Sequence, residues 1–142
     1  VEADGGERRP LPGRGTPGRP LRAIVSRSHT SERVIRMLDG IGVRDYLPCG
    51  SVGIKCARIA EGEADLYVHP VAYMSEWDTC APELIVRECG GFVGDCYGRP
   101  LRYNKRDPTQ PDGMIAASGA VPESLIQRVT ELYTEEIVHA DS

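Results

Sequence analysis

No stretch of this chain approaches the roughly 20 consecutive apolar residues that a membrane-spanning helix needs, which excludes a helical span. An excess of positive charge is missing too. Seventeen Lys and Arg face 21 Asp and Glu, a formal net charge of −4. That balance lacks the broad positive field of a duplex nucleic-acid binder, yet leaves room for a small charged ligand in a locally built pocket. The five cysteines form no CxxC pair, and an odd number suits reduced cytoplasmic thiols better than a disulfide framework. They read as small buried apolar side chains rather than metal ligands or redox groups. A basic-then-apolar leader is also missing and the first residue is Val1, which together read as a piece of a longer cytoplasmic protein.

What is present suffices for one domain. The chain has 142 residues, 40% hydrophobic and 27% charged, a size at which burial of roughly two thirds of the unfolded surface is typical. Residues 1–20 carry five Gly, four Pro and four Arg, and read as a flexible linker that cannot offset the entropy of its own ordering. Residues 21–142 form the domain. Leu21-Arg-Ala-Ile-Val25 reads as a buried strand. Thr30 or Ser31 caps a helix with Val34, Ile35 and Leu38 on one face and Gly40 as its stop. Tyr46-Leu47 is a short strand. Gly50-Ser51 opens a second helix that ends at Gly62, and Ala64–Val68 is a further strand.

A loop through Met74 leads to a third helix after Trp77-Asp78-Thr79, in which Pro82 is expected within the first turn. Phe92-Val93 and Pro100-Leu101 flank a Tyr97-Gly98 turn, as in a hairpin. Met114–Ala117 is another buried strand. Pro122 starts a final helix with Leu125, Ile126, Val129, Leu132 and Tyr133 on one stripe. Strands alternating with helices predict an α/β fold, a mixed β-sheet with helices packed on it. Ligands of such sheets gather beyond the carboxyl ends of strands and at helix N-termini.

Three polar clusters fall at such places. Ser26-Arg27-Ser28-His29 leaves a strand and concentrates two hydroxyls, a guanidinium and an imidazole, groups that match a phosphate and a ribose or base edge. Gly50-Ser51-Val52-Gly53-Ile54-Lys55 offers backbone N–H groups at a helix start and a cation one turn in, without P-loop spacing. In Glu76–Glu83, Asp78 suits an N-cap and equally a carboxylate for a hard cation such as Mg²⁺. Glu76 and Glu83 read as solvated or first-turn charges. Taken singly, each cluster is also ordinary helix capping. Trp77 is expected to pack beneath Asp78, His69 to be structural, Tyr67 and Tyr73 to pack in the core or at a rim, and His139 to lie in a polar tail.

Taken in order, the clusters resemble the carboxyl-terminal half of the inositol monophosphatase superfamily. The segment WDTCAPELIVRECGG is similar to that superfamily's second signature, and SRSH with GSVGIK narrows the resemblance to its 3′(2′),5′-bisphosphate nucleotidases, which include the CysQ-type enzymes of sulfate assimilation. The resemblance runs from about Arg22 to about Gly119. It implies the C-terminal domain of the inositol monophosphatase-like fold, with Asp78 as a Mg²⁺ ligand and Ser26, His29, Ser51 and Lys55 as substrate contacts. The implied reaction removes the 3′-phosphate of 3′-phosphoadenosine 5′-phosphate or its phosphosulfate analogue. The Asp-Pro-[Ile/Leu]-Asp-Gly-Thr signature of the amino-terminal half is missing, so the missing half is an expected partner, the confident catalytic residues lie outside this chain, and the isolated chain is expected to be inactive. Two alternatives stand beside this reading: a fragment of an inositol monophosphatase-type phosphatase, and a non-catalytic adenine-nucleotide-binding fragment.

Overall fold

The computed structural model describes residues 19–28 and 30–140. The chain runs β1 (Arg22–Ser26), α1 (Glu32–Gly40), β2 (Asp45–Cys49), α2 (Val52–Ala60), β3 (Leu66–His69), β4 (Met74–Ser75), α3 (Glu76–Glu88), β5 (Phe92–Gly94), β6 (Thr109–Gln110), β7 (Met114–Ala117) and α4 (Glu123–Ala140). Five strands form one sheet in the order β2-β1-β3-β7-β5, and β4 pairs with β6 in a separate antiparallel ribbon.

β1 is parallel to β2 and β3, whereas β7 is antiparallel to both β3 and β5. The expectation of a mixed sheet is thus met, by a different device from the one the sequence suggested. The turn at Tyr97-Gly98 exists, with the Gly98 amide donating to the Asp95 carbonyl at 2.9 Å, but Pro100-Leu101 is not a strand. β5 finds its partner in β7, about twenty residues on, because β7 is buried along its whole length and offers a fully apolar neighbour.

The period of two along each central strand sorts side chains onto two faces. Ala23 and Val25 of β1, Leu66 and Val68 of β3, and Ile115 and Ala117 of β7 join Met37 and Leu38 of α1 and Val129 and Tyr133 of α4. On the opposite face Ile24, Tyr67, Met114 and Ala116 join Cys56 and Ile59 of α2 and Val86 of α3. Helices therefore cover both sides of the sheet. The apolar stripe expected of the last helix holds, with Leu125, Ile126, Val129, Leu132 and Tyr133 all on that first core.

The start of the sheet is pinned by a group that reads as strand in the sequence. Asp65, 1% exposed, precedes β3 and accepts from the Arg22 amide at 2.9 Å and the Ser118 hydroxyl at 3.1 Å. Arg19 pairs with the same carboxylate at 3.2 Å, so the last two residues of the expected linker, Arg19 and Pro20, belong with the domain. Residues 1–18 lie outside the described residues.

Candidate functional site

From β1 the chain goes through α1 on one face to β2, then through α2 on the other face and past β1 to β3. The direction of travel reverses between β1 and β3. At such a reversal the loops leaving the two carboxyl ends part, and a crevice opens between them. A cavity of about 310 Å³ lies there. Ser26 at the end of β1, His69 at the end of β3, Lys55 from α2, Tyr67 and Tyr73 line it, together with Ser31 of the α1 entry.

Local chemistry fixes each wall. Ser31 caps α1, its hydroxyl accepting from the Val34 amide at 3.3 Å, which decides between the two cap candidates. Thr30 instead donates its hydroxyl to the Ser26 carbonyl at 3.0 Å and closes the turn between β1 and α1. Ser51 caps α2 in the same way, accepting from the Ile54 amide at 3.4 Å. Lys55 follows one turn later. On the α1 side, Arg33 donates to the Pro70 carbonyl at 3.0 Å, pairs with Glu136 of α4 and lies over the Tyr133 ring.

Lys55 supplies the cation that lines the crevice. It is 7% exposed, and its ammonium lies 4.7 Å from the centre of the Tyr67 ring. No carboxylate among the described residues pairs with it, and burial holds its pKa below the usual lysine value. A cation over a ring gains about 2 kcal/mol when desolvated, less than the several kcal/mol that taking an ammonium out of water costs. An anion entering the cavity would supply the missing partner.

His69, expected to be structural, ends β3 and lines the crevice. Its Nε2 is buried without a hydrogen-bond partner among the described residues. Such an orphan costs about 1–3 kcal/mol. Burial, and then the charge of Lys55, keep the imidazole neutral to lower pH than an ordinary histidine. β3 runs parallel to β1, so its last residue belongs to the same carboxyl-end rim as Ser26.

The third cluster is built differently. α3 starts at Glu76 with Ser75 as N-cap, so Asp78 is its third residue and not its cap. One Asp78 oxygen accepts the Ser75 amide at 2.9 Å, and the side chain is exposed. Pro82 sits in the second turn, past the first-turn position expected, and removes the amide that would bond the Asp78 carbonyl. Trp77 does not pack beneath Asp78; it is 72% exposed. The reason is helical phase: Thr79, Pro82 and Val86 point to the core, which leaves Trp77 on the outer side.

Glu76 is a first-turn charge of α3, as expected, but bound rather than solvated, accepting from the Asn104 amide at 2.8 Å, the Lys105 amide at 3.0 Å and the Lys105 ammonium at 2.8 Å. Those hydrogen bonds, with Lys105 first, hold its carboxyl below the usual range. Glu83 accepts from the Tyr103 hydroxyl and from Arg87 at 2.7 Å.

The structure thus brings Ser26 and Lys55 to one cavity, with Ser51 capping the helix that carries Lys55. Asp78 does not line that cavity; it stands five residues after Tyr73, which does. His29 lies outside the described residues. Tyr67 is a buried floor and Tyr73, 90% exposed, a rim. Cys49, Cys56 and Cys96 are buried as expected, and burial pushes the Cys56 and Cys96 thiols up to about 12, whereas Cys80 is exposed. A divalent cation does not fit the described residues alone: none of them form a group of three or more His, Cys, Asp or Glu that could hold one. No described helix is long and apolar enough to cross a membrane.

A mixed sheet flanked by helices, with its crevice at the β1/β3 reversal, is the architecture of a known class. Residues 16–134 match the model of the Inositol monophosphatase family, and the chain belongs to that family. Among its relatives, 3′(2′),5′-bisphosphate nucleotidase 1 of Rattus norvegicus is 33% identical over 109 residues, covering 71% of this chain and 35% of that protein. The 3′-phosphoadenosine 5′-phosphate phosphatase of Mycobacterium leprae is 32% identical over 102 residues, covering 72% of this chain and 37% of that protein. The crystal structure of CysQ from Bacteroides thetaiotaomicron superposes with a TM-score of 0.64 at 32% identity, over 82% of this chain and 42% of that one. The chain spans about a third of the length of these two sequence relatives.

Proposed function

We propose that this chain is the nucleotide-holding, carboxyl-terminal part of a Mg²⁺-dependent 3′(2′),5′-bisphosphate nucleotidase that acts in the cytoplasm on 3′-phosphoadenosine 5′-phosphate or its phosphosulfate analogue, in sulfate assimilation. One observation carries it: the largely buried Lys55 side chain, its ammonium without a carboxylate partner among the described residues, in a crevice that also presents Ser26. A phosphate there gains a charge-assisted hydrogen bond in a low dielectric, where it is strongest. Ser26 and His29 contact the nucleotide from the β1 exit, and Ser51 from the α2 entry.

Asp78 contributes one oxygen to the metal. Mg²⁺ needs octahedral oxygen coordination, so the remaining ligands and the water-activating group come from an amino-terminal half, and this chain alone is inactive. When bound, the metal neutralises charge on the phosphoryl oxygens. The separation of Asp78 from the cavity lining favours one other reading, a non-catalytic adenine-nucleotide-binding fragment.

The test joins this chain to the amino-terminal half of a bisphosphate nucleotidase and measures phosphate release from 3′-phosphoadenosine 5′-phosphate. Release that is lost in Asp78→Ala and shows a raised KM in Lys55→Met supports the enzyme. Metal-independent AMP binding by the chain, with no release in any joined form, supports the binder. Faster release from inositol phosphate would move the assignment to an inositol monophosphatase.

A further inference from the structure

The loop after β3 forms one wall of the crevice, through Pro70, Val71 and Tyr73. Its far end is fixed where Met74 pairs with Gln110 in the β4–β6 ribbon. Between the two ends Val71 is 36% and Tyr73 90% exposed, so core packing does little to set this wall. Among the described residues, Arg33 of α1 is the only side chain that hydrogen-bonds the loop, its Nη1 donating to the Pro70 carbonyl at 3.0 Å.

Arg33 is itself oriented from α4. Its Nε donates to one Glu136 oxygen, and its guanidinium lies 5.1 Å from the centre of the Tyr133 ring. Tyr133 is buried and has the Tyr97 ring edge-on to it at 5.1 Å. Arg36, three residues on, comes within 3.8 Å of the other Glu136 oxygen. The Arg33 and Glu136 side chains are each 28% exposed, which shields their pair more than an ordinary surface contact. A guanidinium presents its donors in a rigid fork, so one side chain serves a carboxylate and a carbonyl together while its face lies on a ring. An ammonium on a flexible stem lacks that fork.

We infer that Arg33 is a positioning residue of the crevice: anchored on Glu136, it sets the Pro70–Tyr73 wall, and through that wall the affinity for the part of a nucleotide beyond its phosphate. The inference rests on the proposed anion site at Lys55 and adds to it a dependence on α4, whose last turns carry Glu136. Such coupling is reciprocal, so a ligand that needs the wall in place also holds the end of α4 in place. A bare phosphate at Lys55 does not lean on the wall.

The test uses the chain as it is, with AMP and inorganic phosphate as probes, followed by calorimetry and by amide hydrogen exchange. AMP affinity is expected to fall about five- to tenfold in Arg33→Met, the scale of one lost hydrogen bond, with phosphate affinity nearly unchanged. Glu136→Gln should give a smaller fall in the same direction, and the double variant no more than Arg33→Met alone, because Glu136 acts only through Arg33. Arg33→Lys should restore the melting temperature more fully than the AMP affinity. In the wild-type chain AMP should slow exchange in the last turns of α4 and phosphate should not, a readout that does not depend on any variant folding. An arginine that only stabilised the fold would leave the ratio of AMP to phosphate affinity alone. An unchanged ratio in Arg33→Met, or exchange in α4 indifferent to AMP, overturns the positioning role, while phosphate binding lost in Lys55→Met keeps the anion site. Binding of neither probe overturns both.

Discussion

The crevice at the ends of β1 and β3 and the first turn of α3 are both places where a chemist would look for a ligand, and they are built on opposite terms. In the crevice the fold holds a largely buried lysine over an aromatic ring and leaves a buried ring nitrogen without a partner among the described residues. In the α3 turn the carboxylate of Asp78 is exposed and already accepts its own N-cap amide. The first region has polar groups in need of partners; the second has its hydrogen bonds made within the fold.

Substitutions can push this contrast from either side. The largest effect is expected at Gly113, where φ is +65° and an added β-carbon collides with the His69 carbonyl. Gly113→Ala should destabilise the chain by about 3–5 kcal/mol, seen as a fall in melting temperature, since backbone strain and overpacking combine there. Lys55→Met sharpens the comparison because two readouts should move oppositely. Phosphate affinity should drop roughly 10- to 100-fold by calorimetry, while denaturant stability rises as the unpaired cation is removed.

Asp78→Asn touches only the α3 turn. It should cost about 0.5–1 kcal/mol in urea unfolding through the weakened capping interaction, and leave phosphate binding by the isolated chain unchanged. The smallest effect is pH-dependent. His69 has its folded pKa depressed below the ordinary 6.5, so the unfolded chain binds the proton more readily. Stability should fall as pH drops from about 6.5 towards the lower folded value, then level off as far as this group is concerned. His69→Phe should remove that part of the slope in melts taken across the window.

Much of the fold is written locally and was readable. α1 and α2 have capping residues, α4 has a one-sided apolar stripe, and β1, β3 and β7 are short apolar runs between punctuating residues. What could not be read depends on long-range pairing. β5 and β7 are three and four residues long, and nothing in Phe92–Gly94 says that its partner lies beyond Thr109 rather than across the Tyr97-Gly98 turn. The start of α3 was placed late because β4, two residues long, has no periodicity and hides Ser75 as the cap.

The candidate site divides along the same line. Ser26 and Ser51 sit at element ends, which sequence marks, and Lys55 follows one turn into α2. His69 also ends a strand, and only the topology places β3 beside β1. For Trp77 the expectation fails: a single large aromatic suggests burial, and helical phase puts it outside.

Arg33 has a consequence for engineering the chain. It reaches from α1 to Glu136 near the end of α4 and to the Pro70 carbonyl immediately after His69. The last turns of α4 and the mouth of the crevice thus share one strut, more than sixty residues apart along the backbone. A label or fusion that disturbs Glu136 would be felt where the ligand enters, so attachment points for such probes are safer on the outward side of α4 than beside that carboxylate.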